Sequence, residues 1–153
     1  MPTIIDKELD NWCDKFKAKK IHLVCVATSG LTTCDWAAST VGGMDQEREV
    51  LPLIKKVNRA GETGTFYPRL PLSVVPLLKW DDRPAPTDAD AFLRSSFEDV
   101  AKANREYIQL KTLCIDLNGW GSDYPFDQAR QIAEDVLLRD PGIEEICFAP
   151  KAT

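Results

Sequence analysis

Residues 114–125 read CIDLNGWGSDYP, and this stretch decides the class of fold. An apolar run typical of a buried strand stops at Gly119 and Gly121, and Pro125 then opens a helical pattern. A strand that ends in a glycine-bearing turn before a helix can direct unpaired backbone N–H groups and the positive helix end at a phosphate. Because the same pattern also serves as a tight connection between strand and helix, these residues alone leave both interpretations open.

Other strands are predicted by short apolar runs on both sides of this stretch. Residues 21–27 (IHLVCVA) are apolar almost without interruption, as a strand covered on both faces requires, and residues 146–149 form a similar run. Residues 72–78 contain Pro76, which predicts an edge strand or a bulge because proline donates no ladder hydrogen bond. Buried strands of this kind are typical of a layered α/β fold.

Helices are predicted between these strands by apolar residues at helical spacing. The pattern covers residues 5–17 and 126–138, and the DPG turn at residues 140–142 ends the last of these helices. A further helix is predicted to begin at residues 44–51, where acidic residues gather as in a first helical turn. Thr87 with Asp90 predicts the cap of another helix, in which Phe92, Phe97, Val100 and Ala101 face the core.

Composition limits the possible partners. The 153 residues suit one domain spanning residues 1–153. The formal net charge is −5 and no long basic run occurs, so nucleic acid is a poor candidate. No apolar run approaches the roughly 20 residues of a membrane-spanning helix, and residues 1–20 lack the apolar centre of a signal peptide. We therefore expect no membrane contact and a cytoplasmic or other intracellular location.

Metal and catalytic motifs are weak in this sequence. The five cysteines include no CxxC pair, which argues against a structural zinc site or a disulfide framework, and no cofactor is expected. His22 is the only histidine and lies in an apolar run, so we expect a structural role because no orienting partner is visible. Asp81 and Asp82 are interpreted as a solvated loop, and Cys34 as a loop or core contact without a basic neighbour.

The second half of the chain resembles the macrodomain family, which binds ADP-ribose. The similarity rests on the order of its parts: Leu93-Arg94 near a helix start, the strand at residues 112–117, the glycine turn followed by Tyr124-Pro125, an amphipathic helix and a last strand at residues 143–149. The turn at residues 61–64 (GETG) is similar to the middle section of the family. The resemblance implies an α/β fold, a single-domain three-layer α/β/α sandwich with a mixed sheet, and ADP-ribose or a related nucleotide diphosphate as ligand.

The first half departs from the pattern of the family. The asparagine-rich segment is replaced by Val26-Ala27-Thr28-Ser29, and the glycine-rich loop is reduced to Gly42-Gly43. De-ADP-ribosylating macrodomains use that asparagine and loop to position the distal ribose and water. We therefore expect a binding module without efficient catalysis. A degenerate module that binds another protein is the alternative, and a hydrolase of ADP-ribosylated substrates is the third hypothesis.

The predicted ligand contacts come from three segments. Backbone amides of the two glycine turns would contact the diphosphate, Trp120 or Tyr124 would cover a ribose or base unless it only packs, and Asp123 is first of all a candidate helix cap. No catalytic residue is predicted. The full set of expected contacts is Thr28, Ser29, Gly42, Gly43, Asn118, Gly119, Trp120, Gly121, Ser122, Asp123 and Tyr124.

Overall fold

A computed structural model describes residues 3–5, 18–27, 63–65, 71–76, 88–117 and 126–148 of the chain. The strands within these residues are β1 (Thr3–Ile5), β2 (His22–Ala27), β3 (Gly64–Thr65), β4 (Leu72–Pro76), β5 (Thr112–Asp116) and β6 (Glu145–Phe148). The helices are α1 (Ala89–Ala103), which continues into a π-helix (Asn104–Ile108), and α2 (Phe126–Leu137).

The described strands form one sheet in the order β1-β6-β5-β2-β4-β3. Neighbouring strands from β1 to β4 all run parallel. The two-residue β3 pairs antiparallel with β4 at Gly64–Val74 and Thr65–Ser73. Where a mixed sheet was expected, the structure thus has a parallel sheet with one very short antiparallel element beside it.

Pro76 predicted an edge strand or a bulge, and β4 shows neither, because its register with β2 is unbroken from Leu72 to Pro76. β4 lies between β2 and β3 in the sheet. Pro76 is tolerated because it is the last residue of the strand and pairs with Ala27 beyond the reach of β3, which ends its pairing at Val74. The missing proline N–H therefore interrupts no hydrogen bond to β3.

Both faces of the sheet are covered. One face contributes Val24, Val26, Val75, Leu113 and Ile115 to a core shared with the helices. Side chains alternate between faces along a strand, so the neighbouring residues Leu23, Leu72, Cys114 and Cys147 point to the opposite face, and they are also buried. Burial on both faces explains why the strands read as continuous apolar runs.

The two described helices pack against each other over the same face of the sheet. Phe97, Val100 and Ala101 are buried as predicted, and Phe92 is partly buried against the same core. The predicted cap at Thr87 is wrong by one position: Asp88 is the N-cap, and its carboxylate accepts a 3.0 Å hydrogen bond from the backbone N–H of Ala91.

The last helix follows its sequence pattern closely. The inward positions Ala129, Ile132, Ala133, Val136 and Leu137 of α2 are all buried. After α2, the carboxylate of Asp140 accepts a 2.8 Å hydrogen bond from the N–H of Gly142, which closes the predicted DPG turn ahead of β6.

The helix predicted at residues 5–17 is wrong at its first residue. The predicted helix begins at Ile5, but Thr3–Ile5 form β1, which pairs in parallel with β6. A strand of three residues is too short for periodicity to reveal. The rest of that helix, the predicted helix after residue 44 and the loop predicted at Asp81 and Asp82 lie outside the described residues. Within the part of the chain that is described, neither helix is long and apolar enough to cross a bilayer.

Candidate functional site

The candidate site lies at the edge of the sheet where its parallel strands end. In register, Cys25 of β2 lies beside Asp116 of β5, so these two central strands end next to each other. The chain continues from β2 towards β4 on one side, whereas it continues from β5 towards β6 on the other side. Such a reversal in strand order opens a crevice at the carboxyl edge, and ligands of open α/β sheets bind there.

All the predicted ligand residues lie outside the described part of the chain. The structure does define where two of their segments leave the sheet. Thr28 and Ser29 come directly after β2, and the segment from Asn118 to Tyr124 comes directly after Leu117, the residue that follows the end of β5. The two segments therefore start from neighbouring strands at the same edge. For Gly42 and Gly43 the described residues give no corresponding anchor.

Helix α2 runs away from this same edge. It comes after β5 in the chain and returns the chain to the start of β6, which is parallel to β5. Its N-terminal end at Phe126 therefore lies near the carboxyl edge of the sheet. The first backbone N–H groups of a helix have no partner within the helix and carry partial positive charge, so this end favours an anion.

A buried polar network occupies the opposite edge of the sheet. His22 begins β2, and its Nε2 lies 2.7 Å from Oγ of Ser73, while its Nδ1 lies 3.2 Å from Oδ1 of Asn104. Relative exposures of the three residues are 0%, 0% and 2%. Burial lowers the pKa of His22 to about 4, although the hydrogen bond to Asn104 raises it.

The distances between these three side chains are similar to those between a nucleophile, a base and an orienting group in an enzyme. The network is nevertheless not accessible to a substrate. A serine nucleophile must be exposed to the group that it attacks, and Ser73 is completely buried. The structural role predicted for His22 agrees with this burial. The reason given for it was wrong, because Asn104 and Ser73 both hold the ring, 82 and 51 residues away in sequence. No local sequence pattern indicates partners at such separations.

The remaining candidates from the sequence give no second site. Asp81, Asp82 and Cys34 lie outside the described residues. Cys114 and Cys147 are buried and not joined in a disulfide. Among the residues that the structure describes, no cluster of three or more histidine, cysteine or acidic side chains could hold a metal ion.

Comparison with known proteins identifies the fold. No protein-family model matches the chain, and no curated protein matches it by sequence. Solved structures do match. The macrodomains of DarG from Thermus aquaticus and from Mycobacterium tuberculosis each give a TM-score of 0.56 at 14% identity, covering 98% of this chain and 99% of theirs.

A mutant of the Oceanobacillus iheyensis macrodomain gives a similar result, with a TM-score of 0.55 at 14% identity over 99% of this chain and 85% of the other. The chain therefore has a macrodomain-like α/β fold, which confirms the resemblance inferred from residues 93–149. At 14% identity the similarity establishes the fold and no particular activity.

Proposed function

We propose that this chain binds ADP-ribose or a related nucleotide diphosphate at the carboxyl edge of β2 and β5. The observation that carries the proposal is the adjacent ending of these two strands at the reversal of strand order. The macrodomain-like fold supports the same ligand, because ADP-ribose is the ligand expected from the resemblance. The binding residues proposed are those of the segments that follow the two strands, together with Gly42 and Gly43.

The chemistry of the proposed contacts suits an acidic protein. Backbone N–H groups in a glycine-bearing turn can approach phosphate oxygens closely because glycine has no Cβ. They carry no formal charge, so a protein with a net charge of −5 can hold a diphosphate without lysine or arginine at the site. The N-terminal end of α2 would add to the same electrostatic attraction.

We propose binding without efficient catalysis. In the macrodomains that remove ADP-ribose, an asparagine and a glycine-rich loop position the distal ribose and water. Here the segment after β2 begins Thr28-Ser29, and the later loop has only Gly42-Gly43. Without an amide side chain at that point, a ribose can still be bound while the water is not held for attack.

Isothermal titration calorimetry with ADP-ribose tests the proposal directly. We expect saturable heat with ADP-ribose, weaker heat with ADP, and none with adenosine, because adenosine lacks the diphosphate. A thermal shift on addition of ADP-ribose should accompany binding, since a ligand of the folded state raises its stability. Absence of both heat and thermal shift in a sample that melts cooperatively would contradict the proposal.

A pair of glycine variants locates the site. Gly121→Leu should weaken ADP-ribose binding by roughly tenfold or more, because a side chain blocks the close approach of phosphate to the backbone. Gly142→Ala is the matched control at the opposite edge of the sheet, just before β6. An added Cβ there meets Oδ1 of Asp140 at 3.2 Å, so a small loss of stability is expected with unchanged affinity. Equal effects of the two variants on affinity would place the ligand elsewhere.

The alternative is a degenerate macrodomain-like module that binds another protein. The absent asparagine and the short glycine segment favour it. A folded protein that binds neither ADP-ribose nor ADP would support this alternative. The hydrolase hypothesis has its own measurement, which is release of ADP-ribose from an ADP-ribosylated protein. Release at a rate above that of the uncatalysed control would overturn the proposal of binding without catalysis.

A further inference from the structure

The His22 network joins three elements that are distant in sequence. The ring contacts Ser73 of β4 through Nε2 and Asn104 of the π-helix through Nδ1, and His22 itself begins β2. The π-helical end of α1 is thereby attached by a side-chain hydrogen bond to the amino edge of the sheet.

Hydrogen bonds around Asn104 assign the protons in the network. Its Nδ2 donates to the carbonyl oxygen of Leu110 at 2.9 Å, so Oδ1 is the atom that faces the ring. Oδ1 can only accept, and therefore Nδ1 of His22 carries the proton. In the neutral ring, Nε2 accepts from the hydroxyl of Ser73, although that hydroxyl can equally accept from a protonated ring. The complete burial of His22 is what favours the neutral form, and this form is held in one tautomer.

The same asparagine shapes the chain after α1. The backbone N–H of Gln109 bonds to the carbonyl of Asn104 in the i to i+5 pattern, and Oδ1 also accepts a long 3.4 Å bond from the N–H of Leu110. Gln109 then adopts a left-handed conformation with φ 56°, which is unfavourable for a residue with a side chain. Residues 104–110 are therefore held in an uncommon geometry by Asn104.

Exposed charged residues are next to the network in the sequence. Among the described residues these are Lys19 and Lys20 ahead of β2, Arg105 and Glu106 in the π-helix, and Lys111 ahead of β5. Arg105 pairs with Asp140 and Lys111 with Glu144. On β5, the register partner of His22 is the apolar Leu113. Opening of the π-helical end would remove Asn104, one of the two side chains that contact the ring nitrogens.

We propose that His22 is an acid-sensitive latch: its neutral ring holds the π-helical end of α1 on the sheet, and its protonation releases residues 104–111 while the sheet stays folded. A charged imidazole must be hydrated, since burial without a counter-charge is costly. When residues 104–111 open, the ring is hydrated and the buried residues Asn104 and Ile108 become exposed. Unfolding of the sheet would instead expose the whole core, which costs more free energy.

Nuclear magnetic resonance tests the ring directly, because the chain has one histidine and its imidazole signals need no assignment. We expect the neutral ring to be protonated on Nδ1 and to titrate well below the ordinary pKa of histidine. A ring protonated on Nε2, or one that titrates near 6.5, would overturn the proposal.

Native-state hydrogen exchange tests the release. Protection of residues 104–111 should be lower than that of residues 113–115 at every pH. From the two pKa values of His22, 6.5 and about 4, it should fall roughly thirtyfold between pH 7.5 and pH 5. If these residues are protected as strongly as β5, the ring is exposed only by global unfolding. If their protection does not change with pH, they open without exposing the ring. Either result means that the latch does not exist.

Two variants separate the ring from the turn. His22→Gln should remove the pH dependence of exchange in residues 104–111. Gln109→Gly is the control, because glycine adopts φ 56° without strain and the variant should slow exchange while keeping the pH dependence. Should His22→Gln fail to fold, Ser73→Ala leaves the ring in place and should keep the pH dependence with a shifted midpoint. An unchanged midpoint would contradict the assigned bond from Ser73.

Discussion

Acidification should destabilise this protein through one side chain, His22. Burial lowers the pKa of the ring to about 4 in the folded state, against 6.5 for a histidine in the unfolded chain. The unfolded state therefore binds a proton between these values and the folded state does not. Stability is full above pH 6.5 and is lost as the pH falls towards 4, because protonation pulls the equilibrium to the unfolded chain.

The magnitude follows from the two pKa values. They differ by about 2.5, and each unit corresponds to about 1.36 kcal/mol, so the full loss is about 3 kcal/mol. Most of it comes early: linkage gives about 0.8 kcal/mol lost at pH 6 and about 2 kcal/mol at pH 5. A typical small domain has about 5 to 15 kcal/mol in total, so the change is large enough to measure.

Urea unfolding at pH 7.5, 6 and 5 measures the loss for the native chain and for His22→Gln. The variant should be less stable at every pH, but its free energy of unfolding should decrease less between pH 7.5 and pH 5. The difference between the two proteins in this decrease is the contribution of His22. Acidic side chains titrate in both proteins and cancel in this comparison. If the free energy of unfolding decreased equally with falling pH in the two proteins, the reasoning would be refuted. His22 would then have the same pKa in the folded and the unfolded state.

Three further predictions concern other parts of the fold and are measured by urea unfolding at pH 7.5. Phe97→Ala removes a completely buried ring from α1 and should cost about 3 to 5 kcal/mol, whereas a cost below about 1 kcal/mol would mean that the core collapses around the gap. Asp88→Ala removes the N-cap of α1 and should cost about 1 kcal/mol, with Asp88→Asn close to neutral. Asp140→Ala should lower the free energy of unfolding more than Arg105→Ala does, because it leaves the N–H of Gly142 without its hydrogen bond. The guanidinium of Arg105 is 57% exposed, so its ion pair with Asp140 is screened by solvent. Equal losses of stability would contradict this ranking.

The elements that the sequence predicts correctly are those with a strong local signal. Continuous apolarity located β2 and β5 to within a residue, and helical periodicity located α2. The three-residue β1 has no such signal, because its strand character depends on pairing with β6 at the far end of the chain. Pairing partners also explain the error at β4, whose proline is harmless only because β3 stops short of it.

The position of the candidate site and its contacts both remain predictions. The glycine turn after an apolar strand indicated the carboxyl edge of the sheet, and the adjacent ends of β2 and β5 agree with that position. Which of the residues after these strands contact a ligand remains a prediction. The His22 network was not predictable, because hydrogen bonds between residues 22, 73 and 104 depend on the strand order and on the π-helical end of α1.

The two edges of the sheet have different consequences for mutation. At the amino edge, His22, Ser73 and Asn104 satisfy one another with buried hydrogen bonds, so a change there alters stability and its pH dependence. At the carboxyl edge, the segments after β2 and β5 carry the proposed contacts to a diphosphate. Strands of six and five residues separate the edges, and stiff strands couple them weakly when both ends remain folded. His22→Gln should therefore leave ADP-ribose affinity unchanged at pH 7.5, while Gly121→Leu should weaken it without changing how stability varies with pH. A variant at the amino edge that weakens binding in the fully folded protein would show that the two edges are coupled through β2.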